Sequence, residues 1–304
     1  MKLYKNESEL AVDLVKKAYK IPEWFKERGF KKFEKRDQSP VTLADLATQI
    51  YIISKIKESF PEDKIIAEEE GSFINSKTEN VITKCFSDLE IDIDNFHDTV
   101  NYLGPESNRA WSIDPIDGTQ GYIEGLSYAI GIGFMVESDP KICAISVPNY
   151  NEEGLAIFSA IKNIGTYASY GRREFKKIKV SNQDSLKDAI LCHSLHYDKP
   201  WVLEFAKQVG INKLIRIDSM LKFCKIADGS ADLYIKPIDL EHSFTWDFLP
   251  GDLIVKEAGG KVTDSANRPI WFEGNNLRWT EPAIIASNGL IHNKVVNHLK
   301  KMQI

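Results

Sequence analysis

The sequence predicts a mixed α/β protein: an α+β amino-terminal part followed by an α/β carboxy-terminal part. Three observations carry that expectation. Over residues 128–169 short apolar runs alternate with turn residues, the signature of an antiparallel meander. After Ser181 strand-like and helical segments take turns, the signature of successive βα units. Ahead of both, apolar residues recur at helical spacing over residues 9–19 and again after Thr42. The change of texture sets an expected boundary near residue 180, giving parts 1–180 and 181–304.

Composition narrows the function classes. A chain of 304 residues with 43% hydrophobic and 27% charged residues has the make-up of a soluble globular protein with a substantial core. A net charge of −5 offers no chain-wide attraction for a nucleic-acid polymer, but leaves room for a small anionic substrate where basic residues cluster locally. The four cysteines, Cys85, Cys143, Cys192 and Cys224, have neither zinc-site nor disulfide-framework spacing. The first ten residues carry charge where a signal peptide needs an apolar run, and no apolar stretch approaches membrane-spanning length. The expectation is a reduced, cytoplasmic protein with no membrane contact.

In the first helix Leu10, Leu14, Val15 and Ala18 share one face. The charge run 31–36 reads as a solvated face. In Ser39-Pro40-Val41-Thr42-Leu43-Ala44-Asp45, Thr42 and Asp45 match a capping box ahead of a helix carrying Leu46, Ile50, Ile53 and Ile56. Asp45 therefore either caps backbone amides or, as a carboxylate at a helix start, orients a water. Residues 64–67 read as a short buried strand running into Glu68-Glu69-Glu70-Gly71. Three adjacent acids usually face solvent; a strand aimed at a metal would instead deliver Glu68 to it. Residues 72–108 are polar and weakly patterned, a flap or a helical insertion.

The stretch from Trp111 to Gly121 is the most informative. A β-type run ends in Asp114, Pro115 is expected to break the strand, Asp117 follows, Gly118 permits a tight turn, and Thr119 comes next. Such a turn can aim two Asp side chains and the Ile116 carbonyl at one point, as a hard cation such as Mg²⁺ requires; an ordinary strand end built of turn residues reads equally well. The strands at 128–137 and 141–148 are expected to turn at Ser138-Asp139-Pro140. Near the carboxy terminus, residues 245–252 open an amphipathic helix with Pro250 in its first turn and Gly259-Gly260 at its end. Asp247 is either its N-cap or a carboxylate crossing over to complete a metal cluster. Asp218-Ser219-x-x-Lys222 reads as another helix opening. Alone, Ser219 is a cap, Lys222 a solvated lysine, His193 a structural histidine and Lys236 a strand-end lysine.

In combination the motifs say more. Ser39-Pro40-Val41-Thr42 with Asp45, then Ile65-Ile66-Ala67-Glu68-Glu69, then Asp114-Pro115-Ile116-Asp117-Gly118-Thr119, then Trp246-Asp247 with Glu257-Ala258-Gly259-Gly260 follow in that order. This series resembles the inositol monophosphatase superfamily of Mg²⁺-dependent, lithium-sensitive phosphomonoesterases over nearly the whole chain. The run from Asp117 to Gly125, Cys192-His193-Ser194, Asp218-Ser219-x-x-Lys222 and Tyr234-Ile235-Lys236 are similar to the 3′(2′),5′-bisphosphate nucleotidase branch. Gln120 replaces that branch's usual lysine, and Ala67 replaces a common glycine. Gln and Tyr near this point also occur in the sister branch, the inositol polyphosphate 1-phosphatases.

The resemblance implies a layered α-β-α-β-α sandwich and two or three Mg²⁺ ions. It assigns Glu68, Asp114, the Ile116 carbonyl and Asp117 to a first ion, and Asp114, Asp117 and Asp247 to a second. It makes Asp45 and Thr119, with Glu68, the group that orients and deprotonates the attacking water. Gly118, Thr119, His193, Ser219, Lys222, Lys236 and Asp247 would bind substrate. The implied reaction removes the 3′-phosphate of 3′-phosphoadenosine 5′-phosphate, with inositol polyphosphate 1-phosphatase activity as the alternative, in a monomer inhibited by Li⁺. A haloacid-dehalogenase-type phosphatase fits less well, because its paired aspartates are separated by one residue and here two intervene. A non-catalytic descendant would be marked by loss of a carboxylate or Thr119, and all are present.

Overall fold

Period-two alternation puts successive side chains on opposite faces of a strand, and along 129–135, 142–148 and 156–160 both faces are buried and largely apolar. Such a sheet needs a layer on each side. The computed structural model describes residues 4–29, 32–35, 40–93, 96–238, 243–274, 276–277 and 282–304. Helices α1 (Lys5–Ala18) and α2 (Lys20–Arg28) precede a ribbon of β1 (Lys32–Glu34) and β2 (Pro40–Thr42). Helix α3 (Leu43–Ser59) leads to β3 (Lys64–Ala67). Among the described residues between 72 and 108 lie two helices, α4 (Ser76–Asp88) and α5 (Phe96–Val100), so the helical alternative holds there. Then come β4 (Arg109–Asp117), α6 (Thr119–Ile123), β5 (Ala129–Val136), β6 (Asp139–Asn151), β7 (Gly154–Ile161), β8 (Gly165–Tyr170) and β9 (Lys176–Lys177).

The alternating part follows with β10 (Ile190–His193), α7 (Pro200–Val209), β11 (Lys213–Arg216), α8 (Leu221–Ala227), β12 (Leu233–Pro237) and α9 (Thr245–Glu257). It ends with β13 (Lys261–Asp264), a hairpin of β14 (Phe272–Glu273) and β15 (Asn276–Leu277), then β16 (Ala283–Ser287) and α10 (His292–Lys301). Strands β3 to β9 form a seven-stranded sheet in sequence order, with only the β3–β4 pair parallel. The second sheet has the order β11-β10-β12-β16-β13; β11, β10 and β12 are parallel, and β16 runs against both its neighbours.

These elements stack as α-β-α-β-α. Helices α1 and α3 cover one face of the large sheet through Leu14, Ile50 and Ile53 against Trp111, Ile132 and Phe134. Helices α8 and α9 fill the space between the two sheets, with Leu249 and Ile254 in one apolar cluster with Ile145, Phe158, Val262 and Ile284. Helices α7 and α10 close the outer face through Phe205, Val295 and Leu299 against Leu191, Leu233 and Ile285. Among the described residues no helix is long and apolar enough to cross a membrane.

Several local expectations are corrected. Pro115 does not end its strand: β4 runs on to Asp117, and the pairing with β5 shifts register between Asp114 and Asp117. A bulge spares the sheet the amide that proline lacks. The β5–β6 turn is Glu137-Ser138, both with positive φ (53° and 64°), so Asp139 and Pro140 already belong to β6. A two-residue hairpin turn of this hand matches the twist of the strands it joins. Helix α9 begins at Thr245, so Pro250 falls inside it rather than in its first turn, and the N-cap is Phe244 rather than Asp247. Ser219 has φ 66° and precedes α8, whose N-cap is Met220.

His292 anchors the carboxy-terminal helix. It is fully buried between the hydroxyls of Thr263 and Ser287, each 2.8 Å from a ring nitrogen. Burial, helped by Lys261, lowers its pKa from 6.5 to about 4. The unfolded chain therefore takes up this proton first as pH falls. The associated stability is fully present above pH 6.5 and is lost towards pH 4. Urea titrations should lose about 3 kcal/mol over that interval from this group alone, and His292→Gln should remove that portion of the slope.

Candidate active site

The β4 bulge does the first positioning. Asp114, on the last regular residue of β4, is buried, and its Oδ1 has no hydrogen-bond partner. Beyond the bulge Asp117 turns to the same side and accepts the Met220 amide proton. Gly118, at φ 88°, then caps α6; a Cβ there would lie 3.1 Å from that of Ser219. Helix α9 brings Asp247 from the other side. It can approach because β5 carries Gly133 beneath it: a Cβ there would sit 2.1 Å from Leu249 Cδ2. Asp247, third in α9, accepts the Phe244 amide at 2.7 Å, which fixes its carboxylate. Carboxylate oxygens of Asp114, Asp117 and Asp247 all lie within 4.8 Å of one another. Glu68, at the end of β3, reaches Asp114 closely enough to hydrogen-bond it.

Four carboxylates so close oppose one another. Two unit charges about 4 Å apart repel by about 4 kcal/mol at an effective dielectric of 20. Burial, and then Glu68, Asp117 and Asp247, push the Asp114 pKa well above the ordinary range. Burial and Glu68 push Asp247 up to about 8. Burial raises Asp117 to about 6 against the pull of Lys222. An all-oxygen donor set with one buried, unpartnered carboxylate oxygen suits a hard divalent cation.

Next to the acids lies a dyad. Thr119 Oγ1 is 3.0 Å from both Asp45 Oδ1 and the Ile116 carbonyl, and its one proton serves either in turn. The other Asp45 oxygen accepts from the Thr42 amide at 2.8 Å and its hydroxyl at 2.6 Å, so the capping box is real and leaves Oδ1 for Thr119. Ser39, from the same motif, lies outside the described residues.

The same cleft, about 510 Å³, has a basic wall: Lys199, Lys222 and Lys236 line it together with Ser194, His196, Tyr197, Asp218 and Ser219. Lys222 is buried, donates to the Ile217 carbonyl at 3.2 Å and sits over the Tyr234 ring. Burial lowers its pKa to about 8, resisted by Asp117 and Asp218.

The pattern of the inositol monophosphatase family matches residues 4–303. The chain belongs to the inositol monophosphatase family. That membership makes it a phosphoric monoester hydrolase. Among its relatives is the 3′(2′),5′-bisphosphate nucleotidase of Emericella nidulans, 30% identical over 91% of this chain and 92% of that one. The enzyme of the same name from Schizosaccharomyces pombe is 30% identical over 84% of this chain and 82% of its own. The fold is that of the IMPase of Thermotoga maritima, with a TM-score of 0.71, 22% identity and 97% of each chain covered.

The cleft gathers Glu68, Asp114, Ile116, Asp117, Gly118, Thr119, Ser219, Lys222, Lys236 and Asp247. Asp45 reaches it through Thr119. His193 is not among the cleft-lining residues: it is buried, with Nδ1 held by Asp198 at 2.7 Å. The charge run is not simply solvated either. Lys35 pairs with both Glu68 and Glu69 at 2.7 Å, and Glu69 is buried rather than solvent-facing. Burial alone would lower the Lys35 pKa, but the two carboxylates raise it well above the ordinary value. Asp218 accepts from Ser194 Oγ at 3.0 Å and the Leu195 amide at 2.9 Å, and binds His196. No short-range pattern announces Lys35 or His196, because each takes its role from a partner distant in sequence. Lys35→Met should leave Glu69 buried without its cation, lowering the urea-denaturation stability of the metal-free protein by about 3 kcal/mol.

Proposed function

We propose that this protein is a Mg²⁺-dependent phosphomonoesterase that removes the 3′-phosphate of 3′-phosphoadenosine 5′-phosphate, giving AMP and phosphate. The observation that carries the reading is the meeting, in one cleft, of the Asp114–Asp117–Asp247 carboxylates with the buried ammonium of Lys222. One end suits a metal-bridged phosphate and the other a second anionic group. The names of the relatives support the nucleotide.

Glu68, Asp114, the Ile116 carbonyl and Asp117 would hold one Mg²⁺, and Asp114, Asp117 and Asp247 a second. Bound magnesium supplies charge neutralisation and Lewis acidity at the phosphoryl oxygens. The residues of the chain do the rest. Thr119 Oγ1 takes a hydrogen bond from the attacking water and donates its own proton to Asp45 Oδ1, so that Asp45 draws the proton away as water adds to phosphorus. The leaving 3′-oxygen departs in line and takes its proton from a solvent water, and Asp45 returns the proton it gained to solvent as the products leave. Ser219, Lys222 and Lys236 grip the second phosphate, and the positioning they provide lowers the barrier. Gly118 lets the chain pass close to the substrate. In this reading His193 supports the wall through Asp198 rather than contacting the phosphate.

Inositol 1,4-bisphosphate is the second substrate to weigh, because Gln120 stands where the nucleotidase branch has lysine and spends its amide on Glu124. The enzyme is proposed to act as a monomer on small phosphorylated substrates and not on nucleic-acid polymers or membranes. Its four buried, unpaired cysteines suit a cytoplasmic, reducing location.

Side-by-side phosphate release from 3′-phosphoadenosine 5′-phosphate and inositol 1,4-bisphosphate tests the assignment, the nucleotide having the higher kcat/KM. Release should stop in EDTA, return with Mg²⁺, and fall in millimolar Li⁺; full activity in EDTA would rule out the metal role. Asp45→Asn should lower kcat by about 10²–10⁴ with KM within a few-fold, the signature of a lost base.

A further inference from the structure

His196, on the loop between β10 and α7, lines the cleft and has a carboxylate at each ring nitrogen. Nδ1 binds Asp218, ahead of α8, and Nε2 lies 3.1 Å from Glu124 Oε2, at the end of α6. The other Glu124 oxygen accepts from Gln120, in the same short helix that opens with Thr119. Asp218 also accepts the hydroxyl proton of Ser194 and the amide proton of Leu195. Against the cost of burial, Lys222, His196 and these donors hold its carboxyl below the usual range. Gln120, and after it His196, hold Glu124 low as well. Around the ring also stand Lys222 of α8, which acts through Asp218, and Arg216 of β11, which donates to the Leu195 carbonyl at 2.9 Å. On its own loop are Tyr197, edge-on with ring centres 6.4 Å apart, and Asp198, held by His193.

Ionised carboxylates only accept hydrogen bonds, and a neutral imidazole has one N–H to give. A histidine with an ionised carboxylate on each ring nitrogen is therefore an imidazolium. We infer that His196 is a positioning residue whose doubly protonated ring ties the Thr119 side of the cleft to the Ser219–Lys222 side, and that losing the Nε2 proton releases this tie. The inference rests on the reading of the cleft as a two-phosphate site and deepens it. Thr119, at the other end of α6 from Glu124, belongs to the dyad at the reacting phosphate. Ser219 and Lys222, which follow Asp218, are the proposed grip on the second phosphate. The spacing between those two subsites sets how a bisphosphate sits. The Met220 amide on Asp117 also joins the two sides, but no donor there titrates. The Glu124 side chain is 40% exposed and that of Asp218 6%. When the ring gives up one proton, the sheltered bond to Asp218 keeps its N–H, and the Nε2 lone pair is left facing Glu124. A contact that attracted then repels, and the end of α6 is freed.

The experiment measures phosphate release from 3′-phosphoadenosine 5′-phosphate and from 4-nitrophenyl phosphate, which lacks a second phosphate. Wild type, Glu124→Gln and His196→Ala are compared in Mg²⁺ across about pH 5 to 8, where histidines change charge. A glutamine at 124 accepts from Gln120 through its oxygen and donates to a neutral Nε2 through its nitrogen, so it keeps the tie without the extra proton. Lys222 and the substrate phosphates titrate alike in all three proteins, so the difference between proteins reports the ring. As pH rises, the nucleotide-to-monophosphate ratio of kcat/KM should fall in the wild type relative to Glu124→Gln, by about three- to ten-fold at the upper end, the worth of one hydrogen bond. His196→Ala should show the lower ratio throughout. Nitrogen NMR supplies a readout apart from turnover: on raising the pH the wild-type His196 ring should lose its Nε2 proton and keep that on Nδ1. Parallel ratios in the wild type and Glu124→Gln, a wild-type ratio in His196→Ala, or loss of the Nδ1 proton in place of that on Nε2 would each refute the tie while the nucleotidase reading stands. If the wild type does not hydrolyse the nucleotide at all, the nucleotidase reading fails, and the positioning role with it.

Discussion

Mutual repulsion among buried carboxylates is the constraint on which this molecule turns. Asp114, Asp117 and Asp247 hold oxygens within 4.8 Å of one another, with Glu68 against Asp114, in surroundings that disfavour charge. Such a cluster costs stability unless protons or cations offset it. The fold supplies part of the offset itself. Lys35 takes up Glu68 and Glu69, Lys222 faces Asp117, and backbone amides of Met220 and Phe244 bind Asp117 and Asp247. Within the cluster, Asp114 Oδ1 is buried with no hydrogen-bond partner, which marks where those internal partners end.

The layered architecture follows from bringing these groups together. Asp114 and Asp117 belong to the large sheet, while Asp247 belongs to a helix between two sheets. Gly133 lets that helix lie close to the sheet, with Leu249 where a side chain would otherwise stand, and Gly131 does the same for Met220. The β4 bulge turns two aspartates three residues apart to a common side, which a regular strand, with its period of two, would not do. Lys199 ahead of α7, Lys222 of α8 and Lys236 of the second sheet then line the same cleft as the acids, so it holds both signs of charge.

Much of this was legible in the chain itself. The meander, the alternating second half and the Thr42–Asp45 capping box followed from patterns in which cause and effect lie a few residues apart, whereas the meeting of Glu68, Asp114, Asp117 and Asp247 was implied only by the resemblance of the ordered motifs to a family. The errors share a physical origin. Pro115 breaks a regular strand but fits a bulge. Glu69 looks solvent-facing until Lys35 and Gln49 hold it; Gln49 binds its backbone amide and carbonyl at 2.8 Å and 2.7 Å.

The sequence alone determined which groups are available and the chemistry they can perform: oxygen ligands in fixed order, a carboxylate with a threonine hydroxyl, and lysines at strand and helix ends. Only the tertiary structure decided which of them meet. Lys35 reaches Glu68 across 33 positions, Thr119 reaches Asp45 across 74, and Met220 reaches Asp117 across 103. Contacts of that span depend on how sheets and helices stack, and no local periodicity encodes them.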